Sequence, residues 1–252
     1  MHLSGDTTLT QLLRSRPRYA EVLEALTNGE YMSHTKDRLA DFCKKANLPM
    51  AELIDRCECL ESTPPSGDWS VGPLCHLIDF LTEEHRVFRE VCLPAIRKAF
   101  AEREIPPTMD GFLFKLIHQK YLAFEEDLLW HMDEEETFLF PKILKLEACL
   151  KHPELFPKSG EGLFRLLEPI HLESPEEKLT HMIGIIIEDI WDRASAEPAV
   201  SLLTDIYSKV ILLKERLTAH AKLETEILVP RSTLLERDVA RLLGKSVPGC
   251  TP

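Results

Sequence analysis

The feature that most constrains this chain is a repeat. His131 to Lys142 reads His-Met-Asp-Glu-Glu-Glu-Thr-Phe-Leu-Phe-Pro-Lys, and 89 residues later His220 to Arg231 reads His-Ala-Lys-Leu-Glu-Thr-Glu-Ile-Leu-Val-Pro-Arg. Each copy is a His, three residues, a Glu, three residues, a Leu, one residue, a Pro and a base. On a helix, the step of four sets His and Glu on one face a single turn apart, within reach of one ion. With ten His in the chain, about one bare pair of this spacing is expected by chance. The shared continuation through Leu and Pro to a base marks an internal repeat, and the chain divides into two halves with one matched helix in each.

The helical faces carry the argument further. Steps of three and four back from His131 meet Leu128, Phe124, Tyr121 and Ile117, and forward steps meet Glu135 and Leu139. From His220 the same walk meets Leu217, Leu213, Val210 and Ile206, then Glu224 and Leu228. Each pair sits within an apolar stripe and points into a core. A carboxylate placed there must be paired, protonated or bound to a cation. Two inward Glu with inward His partners are most economically explained by metal; the bland alternative is two buried hydrogen-bonded pairs.

The remaining helices follow from breakers and periodicity. Residues 7 to 60 read as a small helical unit, with Thr7 or Thr8 capping a helix that carries Leu9, Leu12 and Leu13, and Pro17 opening the next. The segment 62 to 72, with Pro64, Pro65, Gly67 and Gly72, reads as a linker. Pro73 opens a helix to about Arg103 whose stripe holds Leu77, Ile78, Leu81, His85, Phe88 and Cys92, with Pro94 kinking or ending it. After Pro106-Pro107, Met109 or Asp110 begins the first motif helix, which ends near Leu150. A loop with Pro157, Gly160 and Gly162 leads to a third helix between Leu166 and Ala194 carrying His181, and Pro198 precedes the fourth, from Val200 to Leu243. No stretch alternates with period two, so the fold class is all-α. The domain reading is 1–61, linker 62–72, bundle 73–243 and tail 244–252.

Composition narrows the partners. A net charge of −12 disfavours nucleic acid or an anionic membrane surface. No apolar run is long enough to span a bilayer, and the opening MHLSGDTTLT lacks a secretory signal pattern, so the expected location is cytoplasmic. The seven cysteines, at 43, 57, 59, 75, 92, 149 and 250, are odd in number and form no Cys-x2-Cys pair. They read as reduced, unpaired thiols. His76, beside Cys75 near a helix start, reads as exposed.

His85 precedes His131 by 46 residues and His181 precedes His220 by 39, so each half pairs a lone-His helix with a His-x3-Glu helix. Six such groups on four helices suffice for two ions bridged by the carboxylates. An imidazole and carboxylate set without thiolate suits iron or manganese, with zinc as a further candidate.

These residues carry a resemblance. From Asp68 to Pro252 the chain resembles the hemerythrin-like HHE cation-binding family, and within it the di-iron proteins called repair of iron centres. The matching motifs are Glu134-Glu135 with Leu139-Phe140-Pro141, Leu223-Glu224 with Leu228-Val229-Pro230-Arg231, and the opening Asp68-Trp69, Pro73-Leu74 and Leu77-Ile78-Asp79. The resemblance implies an up-down four-helix bundle preceded by a small helical N-terminal domain. It also implies two non-haem iron ions ligated by His131, Glu135, His220 and Glu224, plus one His from each remaining helix, taken as His85 and His181. Proteins of this kind bind oxygen or nitric oxide, or help restore iron-sulfur clusters after oxidative or nitrosative damage. Oxygen, nitric oxide or peroxide is therefore the expected small ligand, and damaged iron-sulfur proteins are the expected partners. A metal-dependent gas or redox sensor and a metal-free interaction module are the alternatives, and no general base or nucleophile stands out beyond the ligands.

The chain departs from the family's pattern in three places. Counted against Leu93-Pro94, the family's ligand falls at Arg86, one place after His85, so either the helix is rotated locally or this ligand is lost. Counted from Pro169-Ile170 it falls at Glu177, which shares a face with His181, and either of the two can serve. Where the family's N-terminal domain has adjacent cysteines, this chain has Tyr31-Met32-Ser33-His34.

Overall fold

The computed structural model describes residues 5–16, 19–27, 30–61, 68–101, 111–155, 175–194 and 200–244. Pro17, Asn28-Gly29, most of the 62–72 segment, Pro106-Pro107 with Met109 and Asp110, the Pro157 to Gly162 loop, Pro169-Ile170, Pro198 and the tail beyond Gly244 lie outside the described residues. The chain is all-α. Among the described residues no helix is long and apolar enough to cross a membrane.

Two compact units are built from interleaved segments. The first comprises Met1–Leu77, Pro141–Pro169 and Pro230–Pro252. Its opening part contains α1 (Leu9–Ser15), α2 (Tyr19–Thr27), α3 (Leu39–Lys45) and α4 (Met50–Glu61). Thr8 caps α1 through a reciprocal box, its hydroxyl accepting from the Gln11 amide while the Gln11 side chain accepts from the Thr8 amide. The starts of α1 and α3 are tied by backbone bonds from Leu9 to Asp37 and from Leu39 to Thr7. Leu9, Leu12, Leu23, Leu39, Phe42, Leu53 and Cys57 form the core of this part.

The second unit, Ile78–Phe140 and Ile170–Val229, is built from stretches of four long helical rods, whose residues before Ile78 and beyond Phe140 and Val229 belong to the first unit. They are α5 (Leu74–Val87) running on into α6 (Leu93–Ala101), α7 (Gly111–Glu134) into α8 (Phe140–Lys151), α9 (Pro175–Ala194), and α10 (Val200–Leu223) into α11 (Val229–Leu242). Within the unit, Phe88, Leu93, Ile96, Phe124, Leu128, Ile183, Ile186, Val210, Leu213 and Leu217 belong to one buried core. Burying each such side chain contributes about 1.5–3 kcal/mol, so the apolar stripes hold the rods together.

Pro94 does not end its helix. In three rods an α-helix continues through a π turn: Phe88–Cys92, Glu135–Leu139 and Glu224–Leu228. Each turn closes with an i to i−5 bond, Leu93 to Phe88, Phe140 to Glu135 and Val229 to Glu224, and the donor in every case directly precedes a proline. A proline inside a helix has no N–H and its ring collides with the carbonyl four residues back. One widened turn relieves both problems without breaking the rod. The extra residue also shifts the stripe: Leu93 is buried and Cys92 only half-buried, and Phe140 is buried where strict α periodicity predicted Leu139.

The bases that close the two repeats act inside the first unit. Arg231 donates to the backbone carbonyls of Trp69 and Gly72, fixing the turn ahead of α5, and Lys142 pairs with Glu236 at 3.0 Å.

Candidate metal centre

The stripes deliver the motif residues as their spacing requires. Ile117, Tyr121, Phe124 and Leu128 on α7, and Ile206, Val210, Leu213 and Leu217 on α10, are all buried. His131 and His220 lie one turn further along those faces, and Glu135 and Glu224 open the π turns that follow. On α5 and the π turn that follows it, Ile78, Leu81 and Phe88 form the same kind of face and carry His85 with them; its side chain is 0% exposed.

His85, Glu135, His220 and Glu224 meet at one point, with a ligand atom of each within 4.8 Å of the others. His85 Nε2 lies 3.1 Å from His220 Nε2 and 3.3 Å from Glu135 Oε2, and His220 Nε2 lies 3.0 Å from Glu224 Oε1. His131 stands beside this group, its Nε2 3.5 Å from Glu135 Oε1. The rings of Phe140 and Phe88 border the cluster, the first stacked on His85 at 5.7 Å between centroids and the second edge-on to His220.

Burial sets the protonation states. It pushes the His131 imidazole down to about 4, and it lowers His85 despite the opposing hydrogen bond that His85 donates to Glu136. At Glu224 burial alone would raise the carboxyl, but His220 and the neighbouring Glu135 and His131 outweigh it and hold it below the usual carboxylate range. Neutral imidazole with ionised carboxylate is the state that metal ligation requires. Two carboxyl groups are enclosed here among imidazole rings, and negative charge is costly in a buried site unless a cation is present. The two ring nitrogens facing each other at 3.1 Å are placed to share a cation or a hydrogen bond. The donor set therefore fits a divalent metal of the iron and manganese class.

Sequence reasoning missed Glu136. Glu136 follows Glu135 in the chain and falls off the apolar stripe, yet its Oε1 lies 2.8 Å from His85 Nδ1. Arg89 holds that carboxylate at 2.6 Å and reaches Asp133 at 2.7 Å. Burial raises the Glu136 carboxyl, but its bonds to His85 and Arg89 prevail and hold it below the ordinary range. A carboxylate on Nδ1–H fixes the tautomer and aims Nε2 at the cluster. The adjacent basic and acidic residues on α5 and α7 were visible in the sequence; their convergence across two rods was not. Arg86, the rival to His85 by family register, is exposed and pairs with Glu83 and Glu90.

The third rod contributes differently from expectation. His181 and Glu177 are both exposed. On α9 the buried side chains are Leu179, Ile183, Ile186, Ile187 and Ile190, and His181, two residues from Leu179, lies about 200° around the helix from it. Neither residue is among those gathered at the cluster.

Two His-x3-Glu turns and a histidine from α5 are thus gathered in a buried core. Residues 76–156 match the hemerythrin HHE cation binding domain. The matched segment holds His85, His131 and Glu135, and geometry brings the second turn, His220 and Glu224, to them. More particularly, the chain is similar to proteins described as iron-sulfur cluster repair protein YtfE from Salmonella paratyphi B, Salmonella newport and Salmonella heidelberg. Identity to each is 25% over 234 residues, covering 90% of this chain and 96% of the relative.

Proposed function

We propose that this chain is a non-haem di-iron protein of the cytoplasm that takes part in repairing iron-sulfur clusters under oxidative or nitrosative stress, with oxygen, nitric oxide or peroxide as its small ligand. The observation that carries the reading is the convergence of His85, Glu135, His220 and Glu224, with His131 alongside, in a buried cluster rich in carboxylate. Support for the repair role comes from the likeness to YtfE proteins along most of the chain. Damaged iron-sulfur proteins are then the partners. Residues 1–61 form a small domain joined through 62–72 to the bundle at 73–243, with a tail at 244–252.

Iron held by these residues supplies redox chemistry and a position for the small ligand. The chain's own groups prepare the site. Glu135 and Glu224 offset the cationic charge, and His85, His131 and His220 present ring nitrogens, with burial favouring the neutral form of His85 and His131. Glu136 retains the proton at His85 Nδ1, and Arg89 keeps Glu136 ionised and in place. Phe88 and Phe140 exclude water on the apolar side. A pocket of about 380 Å³ lined by Asp79, Thr82, Arg86, Arg89, Glu90 and Glu136 reaches the opposite, polar side of that network.

The test is elemental analysis and absorption spectroscopy of protein expressed in iron-supplemented cells, before and after nitric oxide. Two iron per chain and a nitric oxide-dependent spectrum are expected, and Glu135→Ala or Glu224→Ala should lose iron and lower Tm. Colourless wild-type protein without metal, or unchanged iron in both variants, would overturn the reading.

A further inference from the structure

The cysteines depart from the sequence expectation at one point. Cys59, near the end of α4, and Cys75, in the first turn of α5, are joined as a disulfide across 16 residues of chain. His76 follows directly, with Nδ1 3.8 Å from Cys59 Sγ. All three side chains are buried, His76 included, where the sequence reading left it exposed. Their ligand atoms lie within 4.8 Å of one another. The local backbone is held firmly: the amides of Leu74 and Cys75 donate to the two carboxylate oxygens of Glu147 at 2.9 and 3.2 Å.

We propose that Cys59, Cys75 and His76 form a second metal site, separate in chemistry from the bundle centre, which takes a thiophilic divalent cation of the zinc class when the disulfide is reduced. Two sulfurs and one imidazole nitrogen from two helices are the three protein donors of a four-coordinate site, and thiolate selects cations that a carboxylate-rich set does not. Among the described residues no other cysteine belongs to a three-donor group. Cys43, Cys57 and Cys149 are buried without such company.

The redox step balances with a low-molecular-weight thiol as reductant. Its thiolate attacks one sulfur, giving a mixed disulfide and releasing the other cysteine as thiolate; a second reductant thiol displaces the remaining cysteine. The two electrons come from the two reductant thiols, which leave joined to each other. The cation then binds both sulfurs, displaces any proton they carry, and accepts the lone pair of neutral His76 Nδ1. Oxidation removes both thiolates and therefore the site.

The experiment uses full-length protein whose bundle centre has first been filled with iron, then treated anaerobically with a phosphine reductant and titrated with cobalt(II). A single equivalent of cobalt should give a sulfur-to-cobalt charge-transfer band that is absent from the unreduced protein and abolished by a thiol oxidant. The double variant Cys59→Ser with Cys75→Ser should lose the band and keep its iron, and His76→Gln should weaken cobalt binding by about tenfold or more. Reduced wild-type protein without the band, or a band of equal strength in unreduced wild-type protein or in the double variant, would overturn the proposal. The comparison of reduced with unreduced wild-type chain decides it even if the double variant does not fold.

Discussion

Glu136 accepts a hydrogen bond from His85 Nδ1 at 2.8 Å, so that one carboxylate on α7's continuation fixes the ring of a histidine on α5. The same oxygen, Oε1, takes a second bond from Arg89 at 2.6 Å. Replacing Glu136 by Gln keeps the shape but lets the amide present N–H to the ring. Metal affinity, measured by competition with a chelator, should fall by about 10–100-fold, while the melting curve of the metal-free protein changes little.

His85 and His181 should separate cleanly. His85→Ala removes a buried donor from the cluster, and bound iron per chain should drop by half or more, as elemental analysis would register. His181→Ala alters an exposed side chain, so iron content and Tm should match wild type. Equal iron loss in the two variants would place α9 in the site after all.

The first turn of α5 depends on a side chain far along the sequence. Glu147 takes the amides of Leu74 and Cys75, which have no partner within the helix. Glu147→Ala should cost about 1–2 kcal/mol, read as a lower urea midpoint. Glu147→Gln, which keeps one acceptor oxygen, should lose less.

Glu52 is buried, and burial, only partly opposed by Lys145 and Arg56, raises its carboxyl above the ordinary value. Between the unfolded value and this raised one, the folded chain binds more protons than the unfolded chain. Stability contributed by this group is therefore present at low pH and lost as pH rises through that window. Glu52→Gln, which cannot ionise, should raise the urea midpoint at pH 7.5, and the gain should shrink toward pH 4. Equal gains at both pH values would exclude the burial of charge as the cause.

Much of this molecule was fixed by spacing along the chain. Period and proline placement determined the helices, and the stripes through His131 and His220 determined that Glu135 and Glu224 face a core, because helical geometry turns sequence distance into direction. Direction on one helix says nothing of what lies opposite. Tertiary packing decided that His85 joins the cluster and Arg86 does not, and that α9 turns Leu179, Ile183 and Ile186 inward and His181 outward. It also decided that Glu136 meets a histidine 51 residues away, and that Cys59 meets Cys75 across the chain segment between them. The π turns show why these were out of reach: one widened turn rotates everything beyond it, and whether a proline provokes a widened turn, a kink or an end depends on the packing that holds both sides of the rod.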